Sequence, residues 1–209
     1  MDSTIAKKAL RAIRELMEAN RDRLIELDSA IGDGDLGLTM TKAFAAADEA
    51  LADSDETDIG KIFSQAGMAM AKAAPSTMGT LVATGFMRGG KAVRGKTALK
   101  PADVAAFFRA FADGVMERGK TQPGEKTIVD VLDPVAMAVL DAVGSGGDMA
   151  SVAGAAREAG EAGLEAARGM MSQHGKAAIY REQTIGKPDP GATAGLLVIQ
   201  GFAAALEEA

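Results

Sequence analysis

Residues 27–37 read Leu27-Asp28-Ser29-Ala30-Ile31-Gly32-Asp33-Gly34-Asp35-Leu36-Gly37. Three glycines and two aspartates fall within residues 31–37. Such a run cannot be regular helix, because both residue types favour turns. On either side the pattern is helical. Upstream, Ile5, Leu10, Ile13, Leu16 and Met17 recur at helical spacing over residues 4–19, and Leu24, Ile25 and Leu27 extend the pattern over 20–29. Downstream, helical composition resumes from Leu38 to Leu51. The stretch is therefore a loop between helices.

The same alternation continues along the chain. Residues 59–74 form an Ala- and Met-rich helix candidate that Pro75 interrupts. A further helix is expected over 76–93. Another starts at Lys100-Pro101-Ala102-Asp103, with Pro in the first turn, and carries Val104, Phe107, Phe108, Phe111 and Val115. Residues 118–125 read as a loop, 126–143 as a helix, 144–147 as a Gly-rich turn and 148–171 as a long Ala-rich helix. Residues 172–190 are the longest irregular segment, and loops of that length in compact domains are often functional. Residues 191–209 form a last apolar helix. No segment alternates with the period of a strand. The expected fold is all-α, roughly eight helices in a single domain over 1–209, without sequence repeats.

A chain of 209 residues fits one core. Aromatic residues make up only 4%, with no Trp and one tyrosine, Tyr180, so the core is expected to consist of Ala, Leu, Val, Ile and Met. The net charge of -6 and the lack of a basic run argue against a nucleic-acid partner. A mildly acidic protein that holds phosphate needs a divalent cation to offset repulsion. Without cysteine, disulfides, thiolate zinc sites and a thiol nucleophile are excluded. Met1-Asp2-Ser3-Thr4 leads into an amphipathic pattern rather than a signal peptide. No apolar run reaches about 18 residues, so no membrane association is expected and a cytoplasmic location is.

The chemistry centres on Asp28, Asp33 and Asp35. Asp33 and Asp35 flank Gly34, and Asp28 precedes them at the expected end of a helix. Three carboxylates gathered this way repel one another unless a cation intervenes, and oxygen ligands favour Mg²⁺ or Ca²⁺. Helix capping and Asx-turns explain aspartate beside glycine equally well, so both readings stay open. An EF-hand does not fit, since no Glu stands at its twelfth position. Ser76-Thr77-Met78-Gly79-Thr80 can open a helix toward an anion, although plain N-capping is the simpler account. Gly114 to Thr121 matches Gly-x-x-x-x-Gly-Lys-Thr literally, but a phosphate-binding loop of that type follows a strand, and these flanks look helical. Asp189-Pro190-Gly191-Ala192-Thr193 is a third candidate helix start. His174, the sole histidine, is expected to be solvated, and Met68 and Met70 to fill core.

Taken together the loops resemble a known family. Leu27 to Gly37 is similar to its Gly-Asp-Gly-Asp signature. Arg118-Gly119-Lys120 with Pro123-Gly124-Glu125-Lys126-Thr127 is similar to its second loop, and Ile185-Gly186-Lys187-Pro188-Asp189-Pro190-Gly191-Ala192-Thr193 to its last. The resemblance, to the L subunit of dihydroxyacetone kinase or the equivalent domain of single-chain ATP-dependent relatives, runs from near residue 5 to near 205. It implies an eight-helix antiparallel up-and-down barrel with the nucleotide in the loops at one end. It further implies that Asp28, Asp33 and Asp35 hold two Mg²⁺ ions. Leu36, Gly37, Leu38, Thr39, Ser76, Thr77 and Met78 would face the phosphates of ADP or ATP. Gly119, Ile128, Lys176, Asp189, Pro190 and Gly191 would surround the nucleotide.

The same resemblance implies a kinase subunit that is inactive without a separate K subunit holding the ketose. A phosphocarrier protein would recharge a fixed ADP, or ATP would exchange; a homodimer is left open. A nucleotide-sensing interaction module and a purely structural helical protein are the alternatives. Four positions depart from the family. Leu36 stands where phosphocarrier-coupled members usually carry His. Met78 stands where the Gly-rich loop has Ser, Lys176 replaces Arg, and Ile128 replaces Met.

Overall fold

Asp2 starts the first helix. Its carboxylate accepts the Ile5 N–H at 3.0 Å, which satisfies one of the amides a helix start leaves unpaired. The computed structural model describes residues 1–209 and runs α1 over Ser3–Ala19 and α2 over Arg21–Ser29. Asn20 divides them. Its backbone leaves the helical region, and its side-chain amide donates to the Leu16 carbonyl at 2.9 Å. The helices α3 Leu36–Glu49, α4 Ile59–Ala73, α5 Thr77–Ala92, α6 Pro101–Gly119, α7 Val129–Gly144, α8 Met149–Arg168 and α9 Pro190–Leu206 follow. The only β-type pairing is an isolated bridge between Asp2 and Ala98. The fold is all-α, as expected.

Three details differ from the reading of the sequence. There are nine α-helices rather than about eight, because Asn20 ends α1. The segment expected to be irregular contains a 3₁₀ stretch over Lys176–Thr184. And α7 begins at Val129 rather than near 126, because Lys126 adopts a left-handed backbone with φ +57°.

Helix packing closes a circuit. α1 packs on α3, each helix from α3 to α8 packs on the next, and α9 packs on both α8 and α1. These are eight helices in a ring, with α2 set mainly against α3. α9 is buried on nearly every side, with 15 of its 17 residues buried. A helix apolar all round belongs inside, and α9 is flanked by α1, α7 and α8 with further contacts to α2 and α3.

The core is more aromatic than composition suggested. All seven phenylalanines join one cluster. Phe86 lies with its ring centre 5.2–6.3 Å from those of Phe44, Phe63, Phe107, Phe111 and Phe202. Phe108 joins through Phe107 and Phe202. Few aromatics suffice, because α3, α4, α5, α6 and α9 each send at least one ring to a common centre. That centre fixes the helices whose ends carry the loops.

Candidate functional site

The aspartate loop is shaped by its glycines. Gly34 has φ +74°, which side chains other than glycine adopt at a cost. At Gly32 a Cβ would collide with the carboxylate and carbonyl of Asp28, so only glycine lets the loop fold back over that side chain. Asp28, near the end of α2, accepts the Leu36 N–H at 3.2 Å and so caps α3 from the preceding helix. Asp35 occupies the N-cap position of α3 but makes no capping bond, leaving its carboxylate free. Asp33 pairs with Lys176, which arrives from beyond α8. Capping therefore accounts for Asp28 and not for the other two.

One carboxylate oxygen from each of Asp28, Asp33 and Asp35 lies within 4.8 Å of the others. The electrostatics follow from that crowding. Partial burial, then the charges of Asp33 and Asp28, push the Asp35 carboxyl above its ordinary value. Asp33 is held below its own by the hydrogen bond from the Lys176 ammonium. One ammonium does not neutralise three carboxylates, so the cluster keeps an excess of negative charge.

This cluster sits on the wall of a cavity of about 400 Å³. Four connections line it. The end of α2 contributes Asp28, the α2–α3 loop Asp33 and Asp35, and the start of α3 Leu36; the start of α5 contributes Ser76, Thr77 and Met78. The end of α6 contributes Gly119 and the α6–α7 loop Ile128; the stretch after α8 contributes Lys176 and Asp189, and the start of α9 Pro190 and Gly191. These alternate connections lead into α3, α5, α7 and α9. Four helix N-termini thus converge on one cavity, and each brings the partial positive charge of a helix start. Such an end accepts anions, above all phosphate.

Three residues expected at the phosphates, Gly37, Leu38 and Thr39, lie outside the cavity lining. Gly37 is packed on the Arg21 carbonyl, Leu38 is 56% exposed, and the Thr39 N–H is spent on the Asp35 carbonyl within α3. Ser76 accepts the Gly79 N–H at 3.0 Å, so plain N-capping holds for it while it faces the cavity. The Gly114–Thr121 match is coincidental, because Gly114 to Gly119 belong to α6.

Several cavity residues were not singled out from the sequence, among them Thr121, Lys126 and Thr127. His174 is not merely solvated, since its Nε2 lies 2.6 Å from Glu125 Oε2 and the ring lines the cavity. Hydrogen bonds from the Gln122 N–H, His174 and Thr121 hold Glu125 below the usual carboxylate range. Asp189 is buried, caps α9 through the Ala192 N–H at 2.7 Å, and is pushed by that burial up to about 6. Asp189 was expected at the nucleotide; for the rest of this second group only the Pro-Gly-Glu-Lys-Thr composition of 123–127 gave a hint, since the pairings cross from one loop to another.

Residues 30–204 match the DAK2 domain. The chain belongs to the DAK2-domain family. It is 31% identical over 194 residues to the "PEP-dependent dihydroxyacetone kinase, ADP-binding subunit DhaL" of Escherichia coli (strain K12), covering 93% of this chain and 92% of that one. It is 30% identical over 201 residues to the "PEP-dependent dihydroxyacetone kinase 1, ADP-binding subunit DhaL" of Listeria innocua, covering 96% of each. The crystal structure of the dihydroxyacetone kinase from C. freundii in complex with AMP-PNP and Mg²⁺ superimposes with a TM-score of 0.74 at 20% identity. That match covers 98% of this chain and 34% of the crystallised one, so this DAK2 chain spans about a third of it. No helix of the DAK2 chain is long and apolar enough to cross a membrane.

Proposed function

We propose that the loop end binds a nucleotide with divalent cations, and that residues 1–209 form the nucleotide-binding, phosphoryl-transfer subunit of a short-ketose kinase. The observation that carries this reading is the meeting of three carboxylates, with oxygens within 4.8 Å, and four helix N-termini around one cavity. A nucleotide's phosphates suit the helix ends, and a divalent cation reconciles them with the aspartates. The donors are all carboxylate oxygens, which suits Mg²⁺; Asp28, Asp33 and Asp35 would hold two ions. Bound there, the ions would supply charge neutralisation and alignment of the transferred phosphoryl group.

The chain's own residues bind and orient. The amides at the start of α5 and α9, with the hydroxyls of Ser76 and Thr77, face the phosphates. Lys176 adds a positive charge that is a point donor rather than a bidentate fork. Leu81, Ile128 and Met78 form an apolar wall suited to the base. The acceptor, dihydroxyacetone or a related short ketose, would be held by a separate K subunit, and this chain would be inactive alone. Both relatives are named ADP-binding subunits, which favours ADP as a fixed cofactor recharged by a phosphocarrier protein. Exchange of ATP is the other scheme, and nucleotide that survives extensive washing of the purified protein decides for the first.

The test is calorimetric titration of nucleotide-stripped protein with ADP, with and without Mg²⁺. Binding that requires Mg²⁺ is expected. No binding in either condition overturns the assignment.

A further inference from the structure

Lys126 is a lysine almost wholly withdrawn from water, 2% exposed. Its ammonium has three N–H donors and no carboxylate partner at hydrogen-bond distance. It donates to the carbonyls of Thr184 and Lys187 at 2.8 Å each and to that of Arg168 at 3.2 Å. Three donors meet three acceptors, so the group is satisfied. The acceptors mark the end of α8, the end of the 3₁₀ stretch and the approach to Asp189.

The turn that aims this side chain is itself held. The carboxylate of Asp130, also buried, accepts the Gly124 N–H at 2.5 Å and the Thr127 N–H at 2.7 Å. These bonds bracket Lys126 and keep its left-handed backbone in place. Burying an ammonium is costly, and burial lowers the proton affinity of this one. An apolar side chain of the same length would fill the space more cheaply. What it would lack is the ability to join three separate backbone points.

We propose that Lys126 is the positioning residue of this site. Its ammonium gathers the carbonyls of Arg168, Thr184 and Lys187 onto the α6–α7 loop and thereby places Lys176 and Asp189 at the cavity. The contact of Gln173 N–H with the Glu125 carbonyl at 3.2 Å and the Glu125–His174 pair join the same two segments at a second point. Lys126 touches no ligand in this scheme and acts through the segment it holds. The nucleotide arm of the test rests on the function proposed above; the structural arm does not.

The chain has no cysteine, so Lys126→Cys introduces a single thiol. Alkylating the unfolded variant with 2-bromoethylamine restores an ammonium of nearly lysine length, while iodoacetamide yields a neutral amide of similar bulk. Each is refolded beside wild type taken through the same cycle, and Lys126→Met is made directly. Hydrogen exchange over residues 172–189 is measured without ligand, and the Kd for ADP is measured in Mg²⁺. Lys126→Met and the amide form should lose protection in 172–189 while the helices elsewhere keep theirs. Their nucleotide affinity should fall about tenfold or more. The aminoethyl form should regain both. Wild-type protection and affinity in Lys126→Met would overturn the proposal, as would equal behaviour of the two alkylated forms. If Lys126→Met does not fold, the alkylated pair decides by the same readouts. Wild type that fails to bind ADP would sink the nucleotide reading, and the exchange data would still decide the role of Lys126.

Discussion

Lys176 forms an ion pair with Asp33 across 143 positions of sequence, joining the segment after α8 to the aspartate loop. On the proposed function the same lysine reaches the nucleotide, and without nucleotide it would compete with a metal ion for Asp33. Its side chain is 60% exposed and that of Asp33 45%, so the pair is screened and weak. Replacing Lys176 with Met should raise Mg²⁺ affinity in the absence of nucleotide by about threefold, a shift of the size exposed pairs provide. It should lower affinity for Mg-ADP. Parallel titrations with Mg²⁺ and with Mg-ADP check both signs, and movement of the two in the same direction would refute the competition.

Asp35 offers the cleanest test of the metal assignment, because it makes no capping bond whose loss would disturb α3. Asp35→Asn keeps the shape and removes one charge from the cluster. Losses of ten- to a hundredfold follow even from mutations behind a metal ligand, so a ligand itself should cost at least about a hundredfold in Mg-dependent ADP affinity. Helicity and melting temperature should change little. Retention of affinity within a factor of about three, comparable to an exposed pair, would remove Asp35 from the metal site.

The helices and the aspartate loop were legible because their signals are local. Ile5 to Met17 repeat at helical spacing, and Gly32, Asp33, Gly34 and Asp35 sit side by side. What was not legible depends on partners far along the chain. Lys176 meets Asp33, and Lys126 meets Thr184 and Lys187, only once the ring has closed. The left-handed backbone of Lys126 has no composition signal of its own, since the residue is neither Gly nor Asn, and the start of α7 was misplaced accordingly. The aromatic core was missed for another reason. A low count says nothing about convergence, and seven rings spread over five helices meet at one point.

That convergence predicts a stability effect far from the chemistry. Phe86 is inaccessible and touches five other rings. Phe86→Ala should destabilise the fold by about 3–5 kcal/mol through lost burial and the cavity left behind. Urea unfolding measures this directly. A cost below about 1 kcal/mol, the level of a conservative core change, would mean that the cluster relaxes around the gap and does not hold the helices in register.

Asp189 gives the fold a pH dependence with an unusual sign. Burial raises its folded-state value from 3.8 to about 6, so between those values the folded chain holds a proton that the unfolded chain has released. Its contribution is therefore fully favourable below the unfolded value and is lost as pH rises through about 6. Asp189→Asn keeps an oxygen to accept the Ala192 N–H but cannot ionise. Relative to wild type, the variant should gain on the order of 2 kcal/mol between pH 4.5 and pH 7.5, from a displacement of about two pKa units. Denaturant unfolding of both proteins at the two pH values reads the difference. A gap independent of pH would show that Asp189 ionises as an ordinary carboxylate.

The segment beside the cavity also carries the chain's most exposed large apolar side chain. Ile179 is 82% exposed, Ile185 49% and Tyr180 38%, all between Lys176 and Asp189. Isolated apolar residues on a surface are ordinary, and Ile179 stands out by the degree of its exposure and its place in a segment that lines the cavity through Lys176 and Asp189. If the ketose is held by a separate subunit, that subunit has to reach the transferred phosphoryl group at this end. Ile179→Asp should leave Mg-ADP affinity unchanged, because Ile179 is absent from the cavity lining. It should weaken association with the substrate-binding subunit by about tenfold or more, the loss that marks a significant interface residue. Calorimetry on the isolated chain and turnover measured against concentration of the partner separate the two effects. Loss of nucleotide binding would make Ile179 part of the fold of the loop, and unchanged turnover at every partner concentration would place the docking surface elsewhere.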